Sequence, residues 1–232
     1  MESATSKKWM LKNNRFVCYL DIMGFKDMVM RKSHDEIYEL LSDLSKNRQS
    51  LETPILDTDY SDAIKTVSFS DSIVIFTKDS SPYSFTLLTL SVSWLFAKAI
   101  ESGVPLKGAL SFGQMSFNAS RQIFFGQPLI DAYLLEEDVQ FYGIVVHNTV
   151  EKFIVDNSTS SNVSKRYVDC PVPFKFGKVN HLVLDWVQSL ENVNQDDCKI
   201  IALNLMKKQR ENTSGNPRKY IDNTIDIINF TH

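Results

Sequence analysis

The chain has 232 residues, 43% of them hydrophobic and 23% charged, with 25 Lys and Arg against 28 Asp and Glu. That is the composition of a globular protein with a sizeable core, and it excludes a disordered segment. A net charge of −3 argues against a module that grips nucleic acid by its phosphates, and only 8 glycines argue against a glycine-rich phosphate cradle. The cysteines Cys18, Cys170 and Cys198 are too far apart for a zinc knuckle or a disulfide framework. The N-terminus lacks an apolar h-region, and the most apolar stretch, Phe85 to Ile100, is broken by Thr86, Thr89, Ser91, Ser93 and Lys98 and is too short to span a bilayer. The expectation is a cytoplasmic protein that engages neither membrane nor nucleic acid.

In chain order, Arg15 to Ile22 has strand length and stops before Gly24. Ser33 with Glu36 forms a capping box for a helix striped by Ile37, Leu40, Leu41 and Leu44. Beyond Pro54, Ala63 to Phe69 and Ile73 to Thr77 form a hairpin around a Ser70-Asp71 turn. Phe85, Leu88, Val92, Leu95, Phe96 and Ala99 mark a helix closed by Gly103 and Pro105. Leu106 to Phe112 is a strand ended by Gly113, Gln122 to Phe125 a short one ended by Gly126, and Pro128 opens a helix to about Glu137. Tyr142 to His147 is another strand, and a polar break over Asn157 to Lys165 precedes helices at Leu182 to Leu190, Cys198 to Lys207 and Tyr220 to Ile228. The order β-α-β-β-α-β implies an α+β, ferredoxin-like sandwich with a mostly antiparallel sheet and appended C-terminal helices. Residues 1–155 would form the main domain and 156–232 an extension packed on it.

Two aspartates stand where a surface loop meets a buried strand: Asp21 closing the first strand, and Asp71 at the hairpin tip. In this topology the first strand pairs with the hairpin, so both carboxylates meet at one end of the sheet. Adjacent carboxylates repel unless a cation separates them, and Mg²⁺ is commonly held by one or two carboxylates plus substrate phosphates. His147 and the Trp186-Val187 face read as structural, whereas Tyr133 and Tyr142 read equally as core or pocket residues.

The segments around these residues resemble a known family. Y-L-D-I-M-G-F at Tyr19 to Phe25 is similar to the F-x-D-I-x-G-F block of class III nucleotidyl cyclases, and K-T-V-S-F-S-D-S-I-V-I-F at Lys65 to Phe76 to their second metal-aspartate hairpin. L-K-G-A-L-S-F-G at Leu106 to Gly113 and F-G-Q-P-L-I-D-A-Y-L-L-E at Phe125 to Glu136 resemble the third and fourth blocks, in the same order. Counting from Gly126, the family's transition-state Asn and Arg fall on Ile130 and Leu134, whereas Ala132 and Glu136 keep their places. The stand-alone pyrimidine cyclases of bacterial Pycsar anti-phage defence are a branch that this chain resembles in all four blocks.

The resemblance implies a uridylate cyclase, or a cytidylate cyclase, that converts UTP or CTP to the 3′,5′-cyclic nucleotide and pyrophosphate as a defence second messenger. Asp21, Asp71 and the Ile22 carbonyl would hold two Mg²⁺ or Mn²⁺ ions. Lys65, Lys107 and Arg121 are candidate cations for substrate or developing charge, and Phe25, Tyr60 and Lys107 candidates for the substrate pocket, with Tyr60 shortening it to one ring. A single cyclase domain of this kind would pair with itself as a homodimer with sites at the interface. Two other readings compete: a catalytically dead cyclase-like nucleotide sensor or scaffold, and a diguanylate cyclase, whose G-G-[DE]-E-F turn is replaced here by Ser68-Phe69-Ser70-Asp71-Ser72.

Overall fold

The computed structural model describes residues 9–39, 42–43, 46, 63–156, 162–190 and 195–232. The elements follow as β1 (Lys12–Ile22), α1 (Phe25–Arg31), β2 (Ile64–Phe69), β3 (Ser72–Thr77), α2 (Pro82–Glu101), β4 (Leu106–Asn118), β5 (Ile123–Gly126), α3 (Gln127–Asp138) and β6 (Ile144–Val146). Then come α4 (Asn148–Asp156), β7 (Tyr167–Phe174), β8 (Gly177–Leu184), α5 (Gln195–Glu211) and α6 (Asn216–Thr231). A single eight-stranded sheet runs β2-β3-β1-β4-β6-β8-β7, with β5 paired to β4. Each of these strand pairs is antiparallel except β4 with β6. The expected α+β class, central first strand and β-α-β-β-α-β order are all present.

Alternation along β1 assigns its side chains to two layers. Phe16, Cys18, Leu20 and Ile22 join the core under α2, α4 and α5, while Val17 and Tyr19 face the side covered by α3. The capping box forms as expected: Ser33 Oγ accepts from the Glu36 backbone N–H at 3.2 Å, and Glu36 Oε2 accepts from the Ser33 backbone N–H at 2.8 Å. Leu40, Leu41, Leu44, Pro54 and Tyr60 lie outside the described residues.

Three sequence expectations need correction, and one strand was not expected. The Phe85 to Ile100 stretch lies in a 20-residue helix, α2, long and apolar enough to cross a membrane; Phe85, Leu88, Val92, Leu95, Phe96 and Ile100 are instead buried against the sheet. β4 does not stop at Gly113 but runs to Asn118, because that glycine serves close packing: a Cβ there would lie 3.3 Å from Pro128 Cδ. Leu182 to Leu190 is not a helix; Leu182 to Leu184 end β8, and only Val187–Ser189 turn helically. Val183 and Leu184 pair with β6 and β7, so tertiary pairing overrides the apolar run's helical appearance. β7 itself was masked in the sequence by Pro171 and Pro173. It lies at the sheet edge, where a missing N–H faces no partner strand.

Candidate active site

The two aspartates meet at one end of the sheet. Asp21 is directly opposite Ser72 on β3, and the Ile22 backbone N–H donates to the Asp71 carbonyl at 2.9 Å. Ser70, with φ of 56°, turns the chain so that Asp71 stands at the hairpin tip. The Tyr19 hydroxyl and Ser72 Oγ share a hydrogen bond of 2.6 Å, bracing β1 against β3 beside the pair. Tyr19 also meets Tyr133 of α3 edge to face, with ring centroids 5.5 Å apart.

On the other side of β1, Asp21 is directly opposite Lys107 of β4. Gly108, next along, lets the strands approach: a Cβ there would lie 2.6 Å from the Tyr19 carbonyl oxygen. Lys107 is 7% exposed, and its ammonium ends on α3: it donates to the Glu136 carbonyl at 3.0 Å and the Glu137 carbonyl at 3.5 Å, and pairs with Glu136 Oε1 at 2.9 Å. The two carbonyls accept from the ammonium and the Glu136 carboxylate neutralises it, and the cation also sits at the negative end of the α3 dipole.

Glu136 was not singled out as a site residue from the sequence, although a signal was there. The buried positions of α3 are Pro128, Ala132 and Glu136, a helical i, i+4, i+8 stripe ending in a carboxylate. A glutamate on the inward stripe of a helix needs a partner. Here that partner is Lys107.

Glu136 and Asp71 both add negative charge beside Asp21, against the positive charge of Lys107. Burial, followed by the charges of Glu136 and Asp71, pushes the Asp21 carboxyl up to about 7, with Lys107 opposing. Burial also raises Glu136, against the pull of Lys107. A carboxylate in that condition lacks a counter-charge, which is the environment a divalent cation satisfies. Among the described residues no three His, Cys, Asp or Glu side chains converge with metal-binding geometry. The two aspartates offer the carboxylate oxygens that a Mg²⁺-like ion takes, and phosphate and water would have to supply its remaining ligands.

Of the other candidate residues, only Ile22 reaches this cluster. Ile22 offers its backbone there, while its side chain is in the α2-side core. Phe25 packs against that same core. Lys65 pairs with Phe76, itself opposite Val17, so it lies four residues along the sheet from Asp21, about 13 Å. Its ammonium is 5.6 Å from the Trp9 ring centroid. Arg121 lies three residues beyond Asn118, the last residue of β4, at the end remote from Lys107, and its backbone N–H is held by Asn118 Oδ1 at 3.1 Å. Ile130 and Leu134 lie on the outward face of α3, 51% and 53% exposed, with Tyr133 beside them. A cavity of about 720 Å³ lies beside the same ends of β1 and β4, between α5, α6 and the loops at Met23 and Pro105.

Solved structures share this architecture. The catalytic core of a rhodopsin-guanylyl cyclase with converted specificity, in complex with ATPαS, matches with a TM-score of 0.54 over 75% of this chain and 96% of its own, at 12% identity. A bacterial light-regulated adenylyl cyclase matches with a TM-score of 0.52 over 85% of this chain and 98% of its own, at 9% identity. The fold is that of class III cyclase catalytic domains. No known protein family and no curated protein matches the sequence.

Proposed function

We propose that the chain is a class III nucleotidyl cyclase acting on a pyrimidine nucleoside triphosphate, UTP foremost and CTP as the alternative. The observation that carries the reading is the Asp21–Asp71 pair at the strand end of a cyclase fold. Asp21, Asp71 and the Ile22 carbonyl would hold the metal ions. Two Mg²⁺ or Mn²⁺ ions, when bound, supply activation of the ribose 3′-hydroxyl and neutralisation of the triphosphate. The 3′-oxygen attacks the α-phosphorus as the bond to the bridging oxygen breaks; pyrophosphate leaves, and no protein nucleophile is needed. Lys107 is engaged by α3 and serves this site by placing charge rather than by binding phosphate.

The pyrimidine assignment and the anti-phage messenger role rest on the four sequence blocks shared with the Pycsar cyclases, in a cytoplasmic protein. Residues 1–155 would carry the site and 156–232 brace it. A homodimer is supported by the exposed apolar surface on α3 and the β4–β5 hairpin, where Phe125, Ile130 and Leu134 are all more than half exposed. In such a dimer Arg121, remote from Asp21 in its own subunit, would be offered to the partner. A second reading, a dead cyclase-like nucleotide sensor, is favoured by one observation: Ile130 and Leu134 stand where the family places Asn and Arg.

Incubating the purified chain with each of four NTPs and Mn²⁺, followed by mass spectrometry, separates these readings. A cyclic pyrimidine nucleotide is expected. Asp21→Asn and Asp71→Asn should each lower its formation by at least ~10²-fold, as for loss of a metal clamp. Nucleotide binding without any cyclic product would establish the sensor instead.

A further inference from the structure

We propose that the buried Lys107–Glu136 pair sets the divalent-cation affinity of the Asp21–Asp71 site from outside the coordination shell, Glu136 raising it and Lys107 lowering it. The proposal rests on the cyclase reading of that site. Its basis is placement. Lys107 is the direct cross-strand neighbour of Asp21, on the same face of the sheet, and its ammonium is 2.9 Å from Glu136 Oε1.

Both side chains are almost fully buried, at 7% and 3% exposure for the whole residues, so salt screens them weakly. Charges in such surroundings act on a neighbouring divalent ion more strongly than surface charges do. Glu136 also ends the inward stripe of α3, whose outward face carries Ile130 and Leu134. Any movement of α3 against β4 therefore shifts a carboxylate beside the cation site. The pair thereby links the surface proposed to meet a second subunit with the metal affinity of the same subunit.

A purely structural staple between β4 and α3 makes a different prediction. Breaking it from either side would loosen the site, so both substitutions would weaken cation binding. Electrostatic control gives opposite signs. The neutral double variant also avoids an unpaired buried carboxylate.

The experiment is calorimetric titration of Mn²⁺ into the nucleotide-free full chain, with folding checked by circular dichroism. Glu136→Gln should weaken Mn²⁺ binding by about tenfold, the lower range for outer-shell partners. Adding Lys107→Gln to Glu136→Gln should restore most of that loss. Lys107→Gln alone supplies the same comparison should the double variant not fold, and should bind Mn²⁺ more tightly than wild type. A double variant binding no better than Glu136→Gln, or a Lys107→Gln chain binding more weakly than wild type, would overturn the proposal while the cyclase site stands. If wild type binds Mn²⁺ no better than Asp21→Asn, the cation site itself fails, and the proposal with it.

Discussion

Asp21 and Asp79 show one side chain type under opposite electrostatic conditions. Burial and the charges of Glu136 and Asp71 hold Asp21 up at about 7, so its ionised form destabilises the metal-free fold at neutral pH. Asp21→Asn should therefore raise the melting temperature of the metal-free chain while abolishing cyclisation. Calorimetry with and without Mn²⁺ checks this, and a lowered Tm in the metal-free variant would refute it. At Asp79, burial pushes the carboxyl up, but the Ser84 and Ser81 hydroxyls and the Ser81 backbone N–H outweigh it and hold the value below normal. Those bonds, at 2.6, 2.7 and 3.0 Å, gather the N-terminus of α2. A depressed native value stabilises above the unfolded carboxylate range, near pH 4, and is lost as pH falls through the folded value. Asp79→Ala should cost about 1 kcal/mol at pH 7, as N-terminal cap losses do. Acid titration followed by circular dichroism should show that difference vanish at pH 2.

α3 has two faces with separate tasks. Pro128, Ala132 and Glu136 point inward, while Ile130, Tyr133 and Leu134 are exposed. Because the outward residues contribute little to the core, Ile130→Asp with Leu134→Asp should leave Tm within a few degrees, surface changes being worth roughly 0.5 kcal/mol. Self-association and activity should fall together, as sedimentation and product formation can show. Unchanged association would remove α3 from the proposed interface. The strands were legible wherever local pattern sufficed: β1 from its apolar run, and the β2–β3 hairpin from its Ser-Asp turn, which Ser70 takes with a positive φ. β7 was not legible, because its prolines are tolerated only by virtue of an edge position that the sheet as a whole assigns.

Across the whole molecule, the C-terminal third supplies core rather than ornament. β7 and β8 complete the sheet beyond β6, and Ala202, Met206, Ile221 and Ile228 from α5 and α6 share one buried cluster with Leu20, Leu95 and Leu106. Thr224 Oγ1 accepts from the Tyr142 backbone N–H at 2.8 Å, and Asn223 donates to the Gln140 carbonyl at 2.6 Å, tying α6 to the approach to β6. A chain cut after residue 155 loses these contacts at several places at once. It is expected to show no cooperative thermal transition and to bind a hydrophobic dye; a two-state melt of that fragment would show the site-bearing part to be autonomous.

The amino-acid order alone determined the α+β class, the central β1 and the convergence of Asp21 with Asp71, since apolar alternation and a tight turn are local properties of the chain. It also marked Ile130 and Leu134 as departures from the cyclase pattern, because those positions are counted along one helix from Gly126. Tertiary structure decided what Lys65, Lys107 and Arg121 do with their charges. All three are basic residues in the sequence, but one lies by the Trp9 ring, one is buried on Glu136 and one sits at the remote end of β4. A cation's role depends on which acceptors the folded chain places within reach, and for Lys107 those acceptors are 29 and 30 residues away in sequence.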